Sequence, residues 1–270
     1  MYKPALGVSL KIILNEVSKE SCETLFSSRI STCEISPDLF VNDISGNKKE
    51  IVKQALNSNN VRVPTIHARF GQQYDFSSLD NDVFQGAIAE VVNAIDLAVE
   101  LDAPIIVVHL SSEPVLQEER SLRVEQVKKA LSQLEAYCKK NSKKMALELL
   151  PRSCIGNTVD ELLYILDGLS DEVFGVCLDV NHLMDRYEDV APSVLKLNKK
   201  LMTLHLSDYD GIDEKHWVPG RGIIDWPAFM AALRKIDYTG PFNYESKFEE
   251  DTLTKRIKSL EDNFDWLISL

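Results

Sequence analysis

Short apolar runs alternate with longer amphipathic ones along the whole chain. The short runs are Ala5–Ser9, Ile30–Ile35, Val61–His67, Ile105–His109, Met145–Leu149, Phe174–Asp179, Leu201–Leu206 and Pro241–Glu245. Each is too short for a helix and suits a buried strand. The longer runs fall around 19–27, 48–58, 81–101, 118–140, 158–169, 189–199, 226–236 and 251–268. In 81–101, the residues Val83, Ala87, Val91, Ile95 and Ala98 make one stripe at helical spacing. Thr158-Val-Asp-Glu161 fits a capping box, and Pro227 falls where a first helical turn tolerates proline. Strands alternating with helices predict parallel βα units. About eight such pairs predict a closed (β/α)8 TIM barrel, one domain over 1–270. The segments after the strands are the long ones, notably 67–80, 110–118, 150–157 and 207–225. In such a barrel these loops share one face, and that face carries the chemistry.

Composition supports this outline. The chain has 270 residues and is 44% hydrophobic, enough for a barrel of the usual size of about 250 residues. No stretch approaches the roughly 20 apolar residues of a membrane span, and the N-terminus does not read as a signal peptide. The five cysteines are odd in number and scattered, with no C-x-x-C pair, as expected of reduced thiols in a cytoplasmic protein. The net charge of -12 repels phosphate backbones and counts against a nucleic-acid partner.

Chemistry gathers where the strands end. The third run closes on His67 and the fourth on His109; the fifth delivers Glu148. The sixth delivers Asp179, with His182 a turn later. The seventh gives His205 and then Asp208, and the eighth ends at Glu245. His216 lies in the long loop after the seventh. One histidine at a strand end is ordinarily a hydrogen-bonded structural residue, and one buried glutamate ordinarily has a Lys or Arg partner. Here the ends converge on one ring, and no row of Lys or Arg accompanies the acids. Buried carboxylates without partners are costly, and a divalent metal would neutralise them. Glu148, Asp179, His205 and Glu245 form the core ligand set. His67, His109, His182 and His216 are either further ligands or substrate hydrogen-bonding groups. So many histidines favour zinc or manganese over magnesium, as one ion or several.

These residues resemble the xylose-isomerase-like TIM barrels, which include sugar isomerases, epimerases and the endonuclease IV type of abasic-site nuclease. The likeness runs through His67-Ala-Arg-Phe, Asp75-Phe-Ser-Ser-Leu-Asp80, Val107-Val-His109 and Leu147-Glu148. It continues in Cys177-Leu-Asp179-Val-Asn-His182, Leu204-His205-Leu-Ser-Asp208 and the segment from His216 to Trp226. The resemblance implies that Glu148, Asp179, His205 and Glu245 hold one divalent ion. In the nuclease-like arrangement His67 and His109 join Glu148 at a second ion. A third would lie at His182 and an Asp-x-His pair, which here reads Glu214-Lys-His216. The chain departs from the pattern at Glu214, and at Leu149, where many relatives carry Asn.

The resemblance implies a metal-dependent isomerase or epimerase acting on a small sugar or sugar phosphate. Glu148 and Glu245 would remove and return a proton next to a carbonyl through an enediolate, while Asp179 and His205 mainly hold the metal. Arg69, Phe70 and Tyr74 could cover the substrate, and Arg221 could contact a hydroxyl, carboxylate or phosphate. A cyclitol-type dehydratase is a variant of the same chemistry. The alternative is an endonuclease IV-like hydrolase of abasic DNA, favoured by the large ligand set and opposed by the acidic charge. A non-catalytic sugar-binding barrel fits poorly with a complete core tetrad.

Overall fold

Eight parallel strands hydrogen-bond in chain order, and the last pairs with the first to close a barrel. They are β1 (Leu6–Ser9), β2 (Thr32–Ile35), β3 (Arg62–His67), β4 (Ile105–Val108), β5 (Lys144–Glu148), β6 (Phe174–Asp179), β7 (Leu201–Leu206) and β8 (Phe242–Tyr244). The computed structural model describes residues 4–41, 43 and 46–270, so the first three residues of the N-terminal reading lie outside it. The eight predicted runs all become strands, with shifted ends. β2 starts at Thr32 rather than Ile30, and β4 and β8 stop one residue before His109 and Glu245.

The helices are α1 (Leu10–Ile13), α2 (Lys19–Phe26), α3 (Lys48–Asn59), α4 (Asn81–Glu100), α5 (Arg120–Lys140), α6 (Val159–Leu166), α7 (Val190–Leu197), α8 (Trp226–Lys235) and α9 (Leu253–Ser269). The single turn α1 has no counterpart in the predicted pattern. α6 stops earlier than predicted because Asp167 takes an extended conformation and Gly168 follows at φ 81°. At its start, Thr158 accepts a hydrogen bond from the Glu161 amide, as a capping box requires. The other half of the box is missing. The Glu161 carboxylate turns to the Gly156 amide and to Arg120 instead. Asp225 caps α8 through the Ala228 amide, with proline in the first turn.

Strand residues alternate between the two faces of the sheet, and in a barrel one of those faces is the interior. Val107, Ala146 and Cys177 pack together there, with Ile105 and Met202 against them. Their neighbours Ile106, Val108, Leu147 and Leu178 belong to the larger core between sheet and helices. The interior is tight: a Cβ on Gly7 of β1 would come within 2.5 Å of Thr32 Oγ1. Two residues beyond each interior position, the same face carries Glu34, His67, His109, Glu148, Asp179, His205 and Glu245. A register shift between Val176 and Cys177 leaves Asp179 opposite His205 on β7. The period of two therefore puts these polar residues directly above the layer that contains Val107, Ala146 and Cys177. All five cysteines are unpaired and buried. Among the described residues, no helix is long and apolar enough to cross a membrane.

Candidate metal centre

Glu148, at the end of β5, is almost fully buried and is the hub of the site. Its Oε2 lies 3.0 Å from His67 Nε2 and 3.0 Å from His109 Nε2. Its Oε1 lies 3.2 Å from His205 Nδ1 and 3.6 Å from His182 Nδ1. The same His205 Nδ1 meets Glu245 Oε2 at 2.8 Å, and His182 Nδ1 lies 3.5 Å from Asp179 Oδ2. Among the described residues, the ion pairs of Glu34, Glu148, Asp179 and Glu245 are all with histidines.

The local chain sets the orientation of the rings. His67 Nδ1 lies 2.8 Å from the Ala68 carbonyl, His182 Nδ1 2.9 Å from the Leu149 carbonyl, and His216 Nδ1 3.2 Å from the Glu245 carbonyl. With Nδ1 turned to a carbonyl, Nε2 is the nitrogen left for other partners, and that of His67 meets Glu148 Oε2. Leu149 is the departure from the family pattern noted above. Its side chain is buried, and its backbone oxygen is what serves the site. His216 sits in the left-handed region at φ 52°, a strained conformation for a histidine, which turns its ring towards His182 at 5.7 Å.

Burial and charge oppose each other throughout. Burial alone would raise the Glu148 pKa, but His109 and His205 outweigh it and hold the carboxyl well below the usual range. Burial likewise acts to raise Glu245, and His205 pulls it down to about 2. Asp179 goes the other way: burial raises it, and the charges of His182 and His216 do not fully compensate. Burial disfavours the charged form of His67, yet Glu148 lifts it to about 9. His205 is driven well above its ordinary value against burial, by Cys177, Glu34, Glu245 and Glu148. His109 is pushed down by burial, with Glu148 opposing.

Three groups offer ligand atoms that all lie within 4.8 Å of one another: Glu148, Asp179, His205 and Glu245; His67, His109 and Glu148; and His182, Glu214 and His216. Divalent ions fit this donor set. Asp179 Oδ2 and Glu214 Oε2 are buried without a hydrogen-bond partner, a cost that coordination would remove. Glu214, longer than the Asp of the family pattern, still reaches the third group. Its Oε1 is held 3.0 Å from Arg152 Nη1.

A cavity of about 360 Å³ opens above the centre. His67, His109, Glu148, His182, His216 and Glu245 line it, whereas Asp179 and His205 lie beneath its floor. Phe70 forms part of the wall and stacks on His109, with ring centres 4.1 Å apart. Lys11, Arg152 and Lys247 also line it, and sequence reasoning singled out none of them. Arg69 and Arg221, expected at the substrate, do not line the cavity. Arg69 pairs with Glu90, a carboxylate buried in the middle of α4, and lies over Tyr74. Arg221 pairs with Glu249 at 2.7 Å and lies over Trp217. Asp208 also stands apart from the centre. Its carboxylate accepts from the amides of Tyr209, Gly220, Gly222 and Ile224 and from Trp226 Nε1, so it organises the loop rather than a ligand.

Sequence reasoning missed Glu34. It is 1% exposed, and its Oε2 lies 2.9 Å from Thr65 Oγ1 and 3.0 Å from His205 Nε2. It follows interior Thr32 by two positions, the same parity that places Glu148 after Ala146.

Barrel and site together define a (β/α)8 protein with a histidine–carboxylate centre at the C-terminal ends of its strands. The chain belongs to the xylose isomerase-like TIM barrel family, whose pattern matches residues 30–270. It is similar to the L-ribulose 3-epimerase of Methylomonas sp. strain DH-1, 31% identical over 43% of this chain and 40% of the relative. It is also similar to a probable endonuclease 4 of Sulfurihydrogenibium sp. strain YO3AOP1, 19% identical over 76% of this chain and 78% of the relative. The chain spans 56% and 67% of the length of two other curated relatives, both uncharacterised. Among solved structures, a D-tagatose 3-epimerase-like protein superposes with a TM-score of 0.81 at 21% identity, covering 98% of each chain. That likeness is one of fold.

Proposed function

We propose that the protein is a divalent-metal-dependent epimerase or isomerase of a small ketose, acting on the carbon next to the carbonyl. One observation carries this reading: Glu148 from β5 and Glu245 from β8 converge on His205 Nδ1 at the floor of the cavity. Two acids from separate strands then flank a single ligand position. Glu148, Asp179, His205 and Glu245 would hold the ion. When bound, a divalent ion supplies Lewis-acid polarisation of a carbonyl, which acidifies the neighbouring C–H.

The chain's own groups do the rest. Both glutamates are kept ionised by histidines, the state a proton acceptor needs. One ionised carboxylate takes the proton from one face of the sugar, and the other, which must first have picked up a proton from solvent, returns it from the opposite face, which inverts that carbon. Phe70 offers an apolar wall to the sugar ring. The epimerase among the relatives supports this class, while the sugar and the metal are part of the proposal. The unpaired cysteines fit a cytoplasmic setting.

A second reading has its own support. All three ligand groups of a nuclease-like centre are complete, and a probable endonuclease 4 aligns over 76% of the chain. A metal-dependent phosphodiester hydrolase would use them to activate water. The net charge of -12 argues against gripping DNA. The two readings separate in one experiment, with purified protein supplied with Mn2+ or Zn2+. A panel of ketoses tests for epimer formation, and an abasic duplex tests for nicking. Epimer without nicking is expected; nicking without sugar turnover reverses the assignment.

A further inference from the structure

His205 is held differently from the other anchored histidines of the centre. His67, His182 and His216 each present Nδ1 to a backbone carbonyl, so Nε2 is the nitrogen left for other partners. His205 is turned round. Its Nδ1 faces Glu148 and Glu245, and its Nε2 points away to Glu34 Oε2 at 3.0 Å. A carboxylate therefore stands behind this ring where the others have a neutral carbonyl.

We propose that Glu34 is a positioning residue that keeps the proton of His205 on Nε2, so that the Nδ1 lone pair is presented to the metal between Glu148 and Glu245. This role rests on the metal reading above. Glu34 does not line the cavity, so it acts through His205 and not on substrate. Its own position is fixed by the barrel. Thr65 Oγ1 on β3 donates to the oxygen that faces His205, and β2 and β3 are in register with Glu34 opposite Thr65. The bond crosses the interior from β2 to β7 and holds the ring in plane and in tautomer. A carboxylate behind a ligating histidine also makes its other nitrogen a stronger donor, and losing such a partner commonly weakens metal binding about 10- to 100-fold. The buried Glu34 Oε1 has no hydrogen-bond partner. A buried carboxylate left part-satisfied calls for a reason beyond packing, and the contact of its Oε2 with His205 Nε2 supplies one.

The test is zinc binding by competition calorimetry on the full chain, for wild type, Glu34→Ala and Glu34→Gln, each checked for folding by circular dichroism. Glu34→Ala should bind Zn2+ about 10- to 100-fold more weakly. Glu34→Gln keeps the shape and an oxygen that can accept from Nε2–H, so it should lose less. In the zinc-loaded wild type, a 1H–15N spectrum should show a slowly exchanging proton on His205 Nε2, and Glu34→Ala should lose that signal. Folded variants that both bind Zn2+ as wild type does overturn the proposal, as does a wild-type spectrum with the proton on Nδ1. A wild-type chain that binds no divalent ion overturns the metal reading itself, and the positioning role with it.

Discussion

Glu245 Oε2 lies 2.8 Å from His205 Nδ1, the nitrogen that Glu148 Oε1 approaches to 3.2 Å from the other side. β5 and β8 are three strands apart around the barrel, so only closure of the sheet brings these two acids together. If they are the proton-transfer pair, each is indispensable. Glu148→Gln and Glu245→Gln should each lower epimerisation by about 10²- to 10⁴-fold while the protein stays folded. Steady-state rates on the active ketose check this; near-normal turnover in both variants rejects the pair.

Asp179 should matter to the metal first. Its Oδ1 accepts the Asn181 amide at 2.9 Å, and its Oδ2 is buried with no hydrogen-bond partner. Asp179→Asn replaces an anionic donor with a neutral one in the same volume. The variant should lose its metal during dialysis under conditions where wild type keeps it, with turnover falling in parallel. Metal content measured by elemental analysis decides; full retention removes Asp179 from the ligand set.

His216 tells the two chemistries apart. It belongs to the group with His182 and Glu214, and it meets the Glu148–Glu245 pair through the Glu245 backbone carbonyl rather than a carboxylate. An epimerase using one ion should tolerate His216→Ala with most of its turnover intact. Complete loss, with the protein folded and the core ion still bound, favours a multi-metal mechanism.

The stability of chelator-treated protein should depend on pH in a defined direction. His67 is raised to about 9 from an ordinary value of about 6.5. A raised histidine stabilises the fold fully below its unfolded value, and this contribution is lost as pH rises through the folded one. Glu245 is lowered to about 2 from about 4.3, so its contribution holds above about 4.3 and is lost as pH falls through about 2. Melting temperature should therefore decline from pH 6.5 towards pH 9, and again in strong acid. His67→Phe should flatten the alkaline limb. An alkaline limb of the same slope in that variant contradicts the assignment.

Asp208 should be a stability residue. Four backbone amides and one indole N–H converge on its buried carboxylate. Asp208→Asn turns an amide group against some of these donors and should cost about 3 kcal/mol in urea unfolding. Because the loop it organises carries Glu214 and His216, core metal affinity should change much less. A variant as stable as wild type contradicts this role.

The barrel was legible because buried parallel strands and amphipathic helices have different periods, and the chain keeps both without interruption. The strand-end cluster was legible for the same reason: a period of two carries a buried strand from Ala146 to Glu148 and from Cys177 to Asp179. Glu34 obeys that rule. It was hidden because the apolar run continues to Ile35, so the acid sits inside the strand rather than at its end. The ion pairs of the two arginines were hidden for a different reason. Glu90 lies on the buried stripe of α4 and Glu249 beyond β8, and only tertiary packing brings them to Arg69 and Arg221. The loop after β7 is likewise set by one carboxylate gathering distant amides, a relationship no local pattern encodes.

The proposed chemistry is proton transfer at the carbon beside a ketose carbonyl by Glu148 and Glu245. Its most direct measurement is turnover of a ketose panel by metal-loaded protein in D2O, with deuterium located by NMR. A substrate should yield its epimer carrying solvent deuterium at the inverted carbon, with both signals lost in Glu148→Gln and Glu245→Gln. Fully metal-loaded protein that neither exchanges nor epimerises any ketose, yet nicks an abasic duplex, contradicts the claim.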